Sequence, residues 1–217
     1  MNTVKFAAMA DGDKEDYVFL EAHERASAAA VGNRLLTALK ELDGAESAYR
    51  VSRYEHCVQA ASRAYRDGAD TDWIVTALLH DVGDLYAPYN HDEYAAAIFR
   101  PYVREQCTWV VAHHGLFQRY YYAHHFGGDR DVRRRFKDNP YYDDCVAFCE
   151  RWDQASFDPG YESLPLEQFR PMVEEVFARD PYQPQIIAAG RRVPLHNPTL
   201  AASRQPSAFM EPATKAS

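Results

Sequence analysis

The sequence predicts an all-α fold, an irregular helical bundle, on three observations. Apolar residues recur at helical spacing through most of the first 180 residues. The ends of these segments coincide with capping residues, Gly or Pro. Period-2 alternation between turn pairs, the mark of strands, is absent.

In chain order, residues 1–15 read as a loose leader, and Tyr17 to Leu42 as one long helix rich in Ala, Leu and Glu, with Gly44 just past its end. A second helix runs from Val51 to Arg66 and stops at Asp67-Gly68. Asp70 or Thr71 caps a third, which carries "DWIVTALLHDVG". Pro88 separates it from a fourth, "HDEYAAAIFRPYV", and "EQCTWVVAHHG" reads as a fifth. Further helical segments are expected near 129–137, 143–155 and 166–179. Residues 16–180 form one domain in this reading, and the proline-rich stretch 181–217 an extended or disordered tail in which Ile186-Ile187 could pack on the body.

The chain has 217 residues, is 47% hydrophobic and carries a net charge of −8, which suits a globular domain and argues against a nucleic-acid-binding face. The one basic cluster, Arg130 to Lys137, is interleaved with Asp129, Asp131 and Asp138, so a solvated face and an anion-binding patch both stay open. Cys57, Cys107, Cys145 and Cys149 lack paired spacing and read as small buried hydrophobes in a reducing compartment. No apolar run is long enough for a signal peptide or a membrane span, and the expected location is cytoplasmic.

The chemistry concentrates where polar residues fall on apolar helical segments: His56 in "YEHCVQAA", His80 and Asp81 in "ALLHDVG", His91 in "YNHDEYAAA", His114 in "VVAHHG" and Asp153 in "FCERWDQAS". A buried charge needs a compensating partner. Imidazole nitrogen with carboxylate oxygen suits iron, manganese, zinc or nickel. Four imidazoles and two carboxylates exceed the needs of one tetrahedral zinc and suit two metals, one carboxylate bridging. Adjacent side chains on a helix diverge by about 100°, so His80 and Asp81 could reach two ions.

These residues resemble the H…HD…D signature of the HD-domain superfamily of metal-dependent hydrolases: His56, then His80-Asp81, then Asp153. With His91 and His114 added, the pattern is similar to a six-ligand dinuclear branch. Within it the chain looks most like the small mixed-valent diiron oxygenases, such as 2-amino-1-hydroxyethylphosphonate dioxygenase and, more distantly, myo-inositol oxygenase. The similarity runs from about Tyr54 to Phe177, and "EHCVQAASRAYRDGADTDWIVTALLHDVG" is its most specific part. The resemblance implies that His56, His80, Asp81, His91, His114 and Asp153 are the metal ligands, with Asp81 bridging. It implies two iron ions as an Fe(II)/Fe(III) pair, and O2-dependent cleavage of a C–P or C–C bond in a small hydroxylated substrate.

Three positions depart from the phosphonate-cleaving members. Asp84 stands where they carry a histidine, Gln118 where they carry a lysine, and Glu150 where they carry an arginine. Their Tyr-x-x-Glu ahead of the first histidine is reversed here as Glu46 and Tyr49. Replacing cations with an acid weakens recognition of a dianion and suits a smaller, less charged or amine-bearing substrate. Asp84, Tyr86, Gln118 and Glu150 are the expected substrate contacts, with Tyr89 in the same loop as Tyr86.

His113 takes a structural or supporting role beside His114. His124 and His125 belong to surface or pocket-wall packing, and His23 and His196 receive no role. Two further functions stand beside the oxygenase: a dinuclear phosphohydrolase acting on a phosphate ester, and a regulatory domain that only binds. The scarcity of lysine and arginine in the matched pocket segments leans away from the phosphohydrolase. Intact residues at all six ligand positions lean away from the regulatory domain. The expected partners are a small-molecule substrate and O2.

Overall fold

The structure, a computed structural model, describes residues 2–44 and 48–204. Ten α-helices follow one another, and no strand occurs among the described residues. They are α1 Lys14–Ala29, α2 Val31–Glu41, α3 Arg53–Arg66, α4 Thr71–Leu79, α5 His91–Phe99, α6 Glu105–Tyr122, α7 Tyr142–Phe148, α8 Arg170–Phe177, α9 Pro184–Ile187 and α10 Pro198–Ser203.

At the centre lies α4. Trp73, Ile74, Val75, Ala77, Leu78 and Leu79 are all buried, as expected of a helix that is apolar all round. Asp70 caps its start by accepting from the Trp73 amide. Arg104 grips Asp70 with two hydrogen bonds of 2.7 and 3.1 Å, and Arg179 reaches Asp72 at 2.6 Å. On one side packs α3, which opens with a reciprocal capping box between Ser52 and Glu55. Its buried alanines, Ala60, Ala61 and Ala64, let the two helices approach closely. Packed on each other, α5 and α6 close the bundle together with α7 and α8.

The single helix expected over 17–42 is two. Only Asp16 of α1 is buried, whereas α2 buries Leu35, Leu36 and Leu39. Ala30 leaves helical geometry (φ −89°, ψ 1°), which turns the leucine stripe into the core that α1 lacks. The fifth helix runs past Gly115 to Tyr122. Packing against α5 and α7 outweighs the roughly 1 kcal/mol a mid-helix glycine costs. Near 129–137 the chain forms only a 3-10 turn, Val132–Phe136, and the expected 166–179 helix is a short 3-10 turn followed by α8.

Residues 181–204, set apart by sequence as a tail, are fastened to the bundle. The Val193 carbonyl accepts from the Trp73 indole at 3.0 Å and from the Gln106 amide at 3.2 Å, and the Arg192 guanidinium pairs with Asp144. Trp73, Gln106 and Asp144, all buried, supply these anchors, which composition alone does not reveal. Residues 205–217 lie outside the described residues.

Gly68 makes this attachment possible. It sits at φ +74°, and a Cβ there would collide with the Asn197 carbonyl and meet the Ala201 amide nitrogen at 2.5 Å. Gly68→Ala is expected to destabilise the fold by about 1–2 kcal/mol from the left-handed conformation alone. It should also release residues 193–204, read as faster amide exchange there; unchanged exchange would refute the role given to Gly68.

Candidate metal centre

Six side chains from five segments converge beside the C-terminal end of α4. From α3 comes His56, and His80 closes α4. Asp81 lies just beyond, outside helical geometry at φ −100°, ψ 7°. The divergence of His80 and Asp81 thus arises from a helix end rather than from neighbouring positions within a helix. First in α5 is His91, and His114 sits within α6. Asp153 ends a π-helical turn, Cys149–Asp153, that continues α7. The wider turn shifts the side-chain phase, and both Trp152 and Asp153 are buried while the Trp152 indole donates to Asp67.

Distances within the cluster are short. His56 Nε2 lies 3.4 Å from Asp81 Oδ2 and 3.4 Å from Asp153 Oδ1. His80 Nε2 lies 3.6 Å from Asp153 Oδ1. On the other side, Asp81 Oδ1 is 3.4 Å from His91 Nε2 and 3.1 Å from His114 Nε2. Donors bound to one metal at about 2.0–2.2 Å stand roughly 3.0–3.5 Å apart, so these separations match a shared coordination sphere. Three overlapping groups could each hold an ion: His56, His80 and Asp81; His80, His114 and Asp153; and Asp81, His91 and His114.

The imidazoles are aimed by their other nitrogen. Nδ1 of His56, His80 and His114 lies 3.0, 2.9 and 2.7 Å from the carbonyls of Ser156, Ala77 and Val111. His91 Nδ1 faces the Pro88 carbonyl and lies 3.2 Å from Asp84 Oδ1. A carbonyl can only accept, so Nδ1 carries the proton and Nε2 offers its lone pair inward.

Two of these lone pairs, His56 Nε2 and His80 Nε2, face each other at 3.1 Å. Only a cation or a shared proton makes such an approach favourable. Asp153 Oδ2 is buried with no hydrogen-bond partner, an unsatisfied acceptor inside the same cluster. The residues therefore fit a pair of metal ions.

The carboxylates and imidazoles shift one another's titration. Burial pushes the Asp81 carboxyl up, but His80, His114 and His56 outweigh it and hold it well below the usual carboxylate range. Burial likewise opposes ionisation of Asp153, and His56 and His80, when protonated, bring its pKa below the ordinary value. Burial disfavours the charged forms of His56, His80 and His114, yet the carboxylates raise all three. Asp84 shifts upward through burial and then repulsion from Asp81.

Sequence reasoning missed Arg53, one turn ahead of His56 on α3. Its guanidinium lies 2.7 Å from Asp84 Oδ2 and 3.2 Å from Asp81 Oδ2, and its side chain is 29% exposed. The scarcity of cations inferred for the pocket segments is thereby corrected, since one arginine stands at the centre itself. The i, i+3 spacing of Arg53 and His56 on one helix face was the available signal. Phe157 was missed too; its ring stacks on His56 at 4.3 Å and on Tyr49 at 4.6 Å.

Of the four expected substrate contacts, Asp84 is drawn into the centre through Arg53 and His91. Gln118 lies one turn beyond His114 on α6, and its side chain makes no hydrogen bond among the described residues. Glu150 is exposed at the start of the π turn. Tyr86 stands 61% exposed against Tyr94, and Tyr89 is fully exposed, so neither closes over the cluster. His113 stacks on Trp109 and donates to its carbonyl, while His124 and His125 pack on each other at the surface. Glu46 lies outside the described residues.

An all-α bundle with histidines and aspartates gathered at the end of a central helix defines a helical domain able to bind metal. Residues 53–153 match the HD domain family, and the matched segment contains all six clustered residues. Comparison with curated proteins finds no match. No helix among the described residues is long and apolar enough to cross a membrane.

Proposed function

We propose that the chain is a dinuclear metal-dependent oxygenase acting on a small hydroxylated substrate, cleaving a C–P or C–C bond with O2. HD domains are usually metal-dependent enzymes. The observation that carries the reading is the reach of Asp81, with Oδ2 3.4 Å from His56 Nε2 and Oδ1 within 3.5 Å of His80, His91 and His114. Asp81 would bridge two ions, with His56, His80 and Asp153 placed to hold one and His91 and His114 to hold the other. Bound there, two ions supply Lewis acidity for a substrate hydroxyl and, as an Fe(II)/Fe(III) pair, electrons for O2.

The chain's own groups prepare that centre. The backbone carbonyls lock four rings in place, so little reorganisation is needed when ligands bind. Phe157 covers the face of His56 and keeps water from it. His91, the one imidazole of the four with appreciable exposure at 21%, marks the open side, where a substrate approaches past Arg53 and Asp84.

Arg53 supports a second reading, a phosphohydrolase with manganese, zinc or nickel. A guanidinium within 3.2 Å of the bridging carboxylate is placed to neutralise a phosphoryl group. Protein isolated without oxygen decides between them. The oxygenase predicts about two irons per chain, an EPR signal from a coupled Fe(II)/Fe(III) pair that changes with substrate, and O2 uptake. Phosphate release from an ester without O2 uptake would overturn it.

A further inference from the structure

His91 is held differently from the other three imidazoles. Behind His56, His80 and His114, backbone carbonyls stand 3.0, 2.9 and 2.7 Å from Nδ1. The Pro88 carbonyl lies 3.4 Å from His91 Nδ1, beyond the ordinary range of an N–H···O bond. Asp84 Oδ1 is closer, at 3.2 Å. His91 also begins α5, and Asn90 before it gives the helix no side-chain cap. The most exposed ring of the four thus has the longest backbone anchor, and a carboxylate beside it.

The local fold delivers Asp84 to that place. Asp81 precedes the 3-10 turn Val82–Leu85, and the Asp84 amide donates to the Asp81 carbonyl at 2.9 Å. Side chains three apart eclipse in such a turn, so the two carboxylates share one face and repel each other. Arg53 Nη1 joins them, 2.7 Å from Asp84 Oδ2 and 3.2 Å from Asp81 Oδ2. Asp84 Oδ2 is buried and makes no hydrogen bond among the described residues, so the ion pair with Arg53 compensates its charge. Gly83, in the same turn, packs directly on the His91 backbone and brings the turn against the start of α5. Only 9% of the Asp84 side chain is exposed; it is turned inward, towards the ring.

We propose that Asp84 is a positioning residue: held by Arg53, it fixes the His91 ring from behind and so sets the affinity of the ion on the His91 and His114 side. The effect on a second ion rests on the dinuclear reading above; the fixing of the ring does not. A carboxylate behind a metal-binding imidazole orients the ring and makes it a stronger donor. That matters most on the side to which the reading gives fewer ligands. The assignment corrects the expectation that Asp84 contacts the substrate. It makes the two halves unequal, the second ion depending on a carboxylate that is not itself a ligand.

The test titrates Zn(II) into the metal-free full chain by calorimetry, with chelator competition to resolve the two ions, and reads the imidazole N–H signals of the Zn(II)-loaded protein by NMR. Asp84→Asn is expected to weaken the second ion roughly 10–100-fold and to leave the first close to the parent's. Asp84→Glu should recover part of the loss. Arg53→Gln should weaken the second ion too. Combined with Asp84→Asn it should cost less than the sum of the two, because it acts there through Asp84. Glu93→Gln removes the same charge from an exposed position near His91 and should change neither ion. In the spectra, Asp84→Asn should move one Nδ1–H signal, assigned by its loss in His91→Gln, and leave those of His56, His80 and His114 in place. Equal second-ion affinity in Asp84→Asn and the parent, or an equal loss of both ions, overturns the proposal. A parent that takes up a single ion removes the dinuclear reading; the positioning role then survives if Asp84→Asn still moves the His91 signal and falls if it does not.

Discussion

Asp81→Ala is expected to abolish loading of both metal ions and to lower activity by well over 100-fold. Losing a partner behind a metal ligand costs 10–100-fold, and Asp81 faces both halves of the cluster directly. Its Oδ1 stands 3.1 Å from His114 Nε2 and its Oδ2 3.4 Å from His56 Nε2, so a single carboxylate spans the two. The measurement is metal content by elemental analysis, paired with melting temperature as metal is added. A ligand at 100 times its dissociation constant stabilises by about 2.7 kcal/mol, so the parent should melt higher with metal and the variant should not. The fold itself should persist, since Asp81 lies outside the apolar core and Arg53 keeps Asp84 as a partner. Retained loading of two ions in a folded Asp81→Ala protein would contradict the centre described above.

The six clustered residues were legible in the sequence for a physical reason. Each lies on or beside an apolar helical run, where an unpaired polar group is costly, so its presence demands a partner. The scaffold was legible through the same periodicity, since α3, α4 and α5 start within two residues of their expected positions. What stayed hidden depends on contacts between distant segments. Nothing local distinguishes Phe157 from any other aromatic, yet it covers His56 from 101 positions away. Arg133 sits in a run that alternates with aspartates and leaves a solvated face and an anion-binding patch both open; its place over Tyr120 separates it from Arg134, which pairs with Asp131. The break at Ala30 was hidden because alanine-rich sequence favours helix on both sides of it, and only docking of Leu35, Leu36 and Leu39 into the core decides where the chain turns.

The close approach of Gly83 to His91 makes the two halves of the centre separable by experiment. A Cβ at position 83 would overlap the His91 carbonyl oxygen and stand 2.8 Å from its Cα. Both are backbone atoms, so no rotamer change relieves the clash, and the start of α5 must move. Overpacking of this kind costs roughly 1–3 kcal/mol, so Gly83→Ala should melt below the parent. More specifically, the shift carries His91 away from Asp81 Oδ1, which it faces at 3.4 Å, and leaves His56, His80 and Asp153 in their own segments. The half built on His91 and His114 should then bind metal far more weakly than the half built on His56. Elemental analysis of the folded variant is expected to fall from about two ions per chain towards one, since a four-histidine, two-aspartate set exceeds the needs of a single ion. Asp153→Asn weakens the opposite half and makes a matched comparison. If Gly83→Ala folds and still binds two ions with the parent's affinities, His91 is not a ligand and the two-sided reach of Asp81 loses its basis.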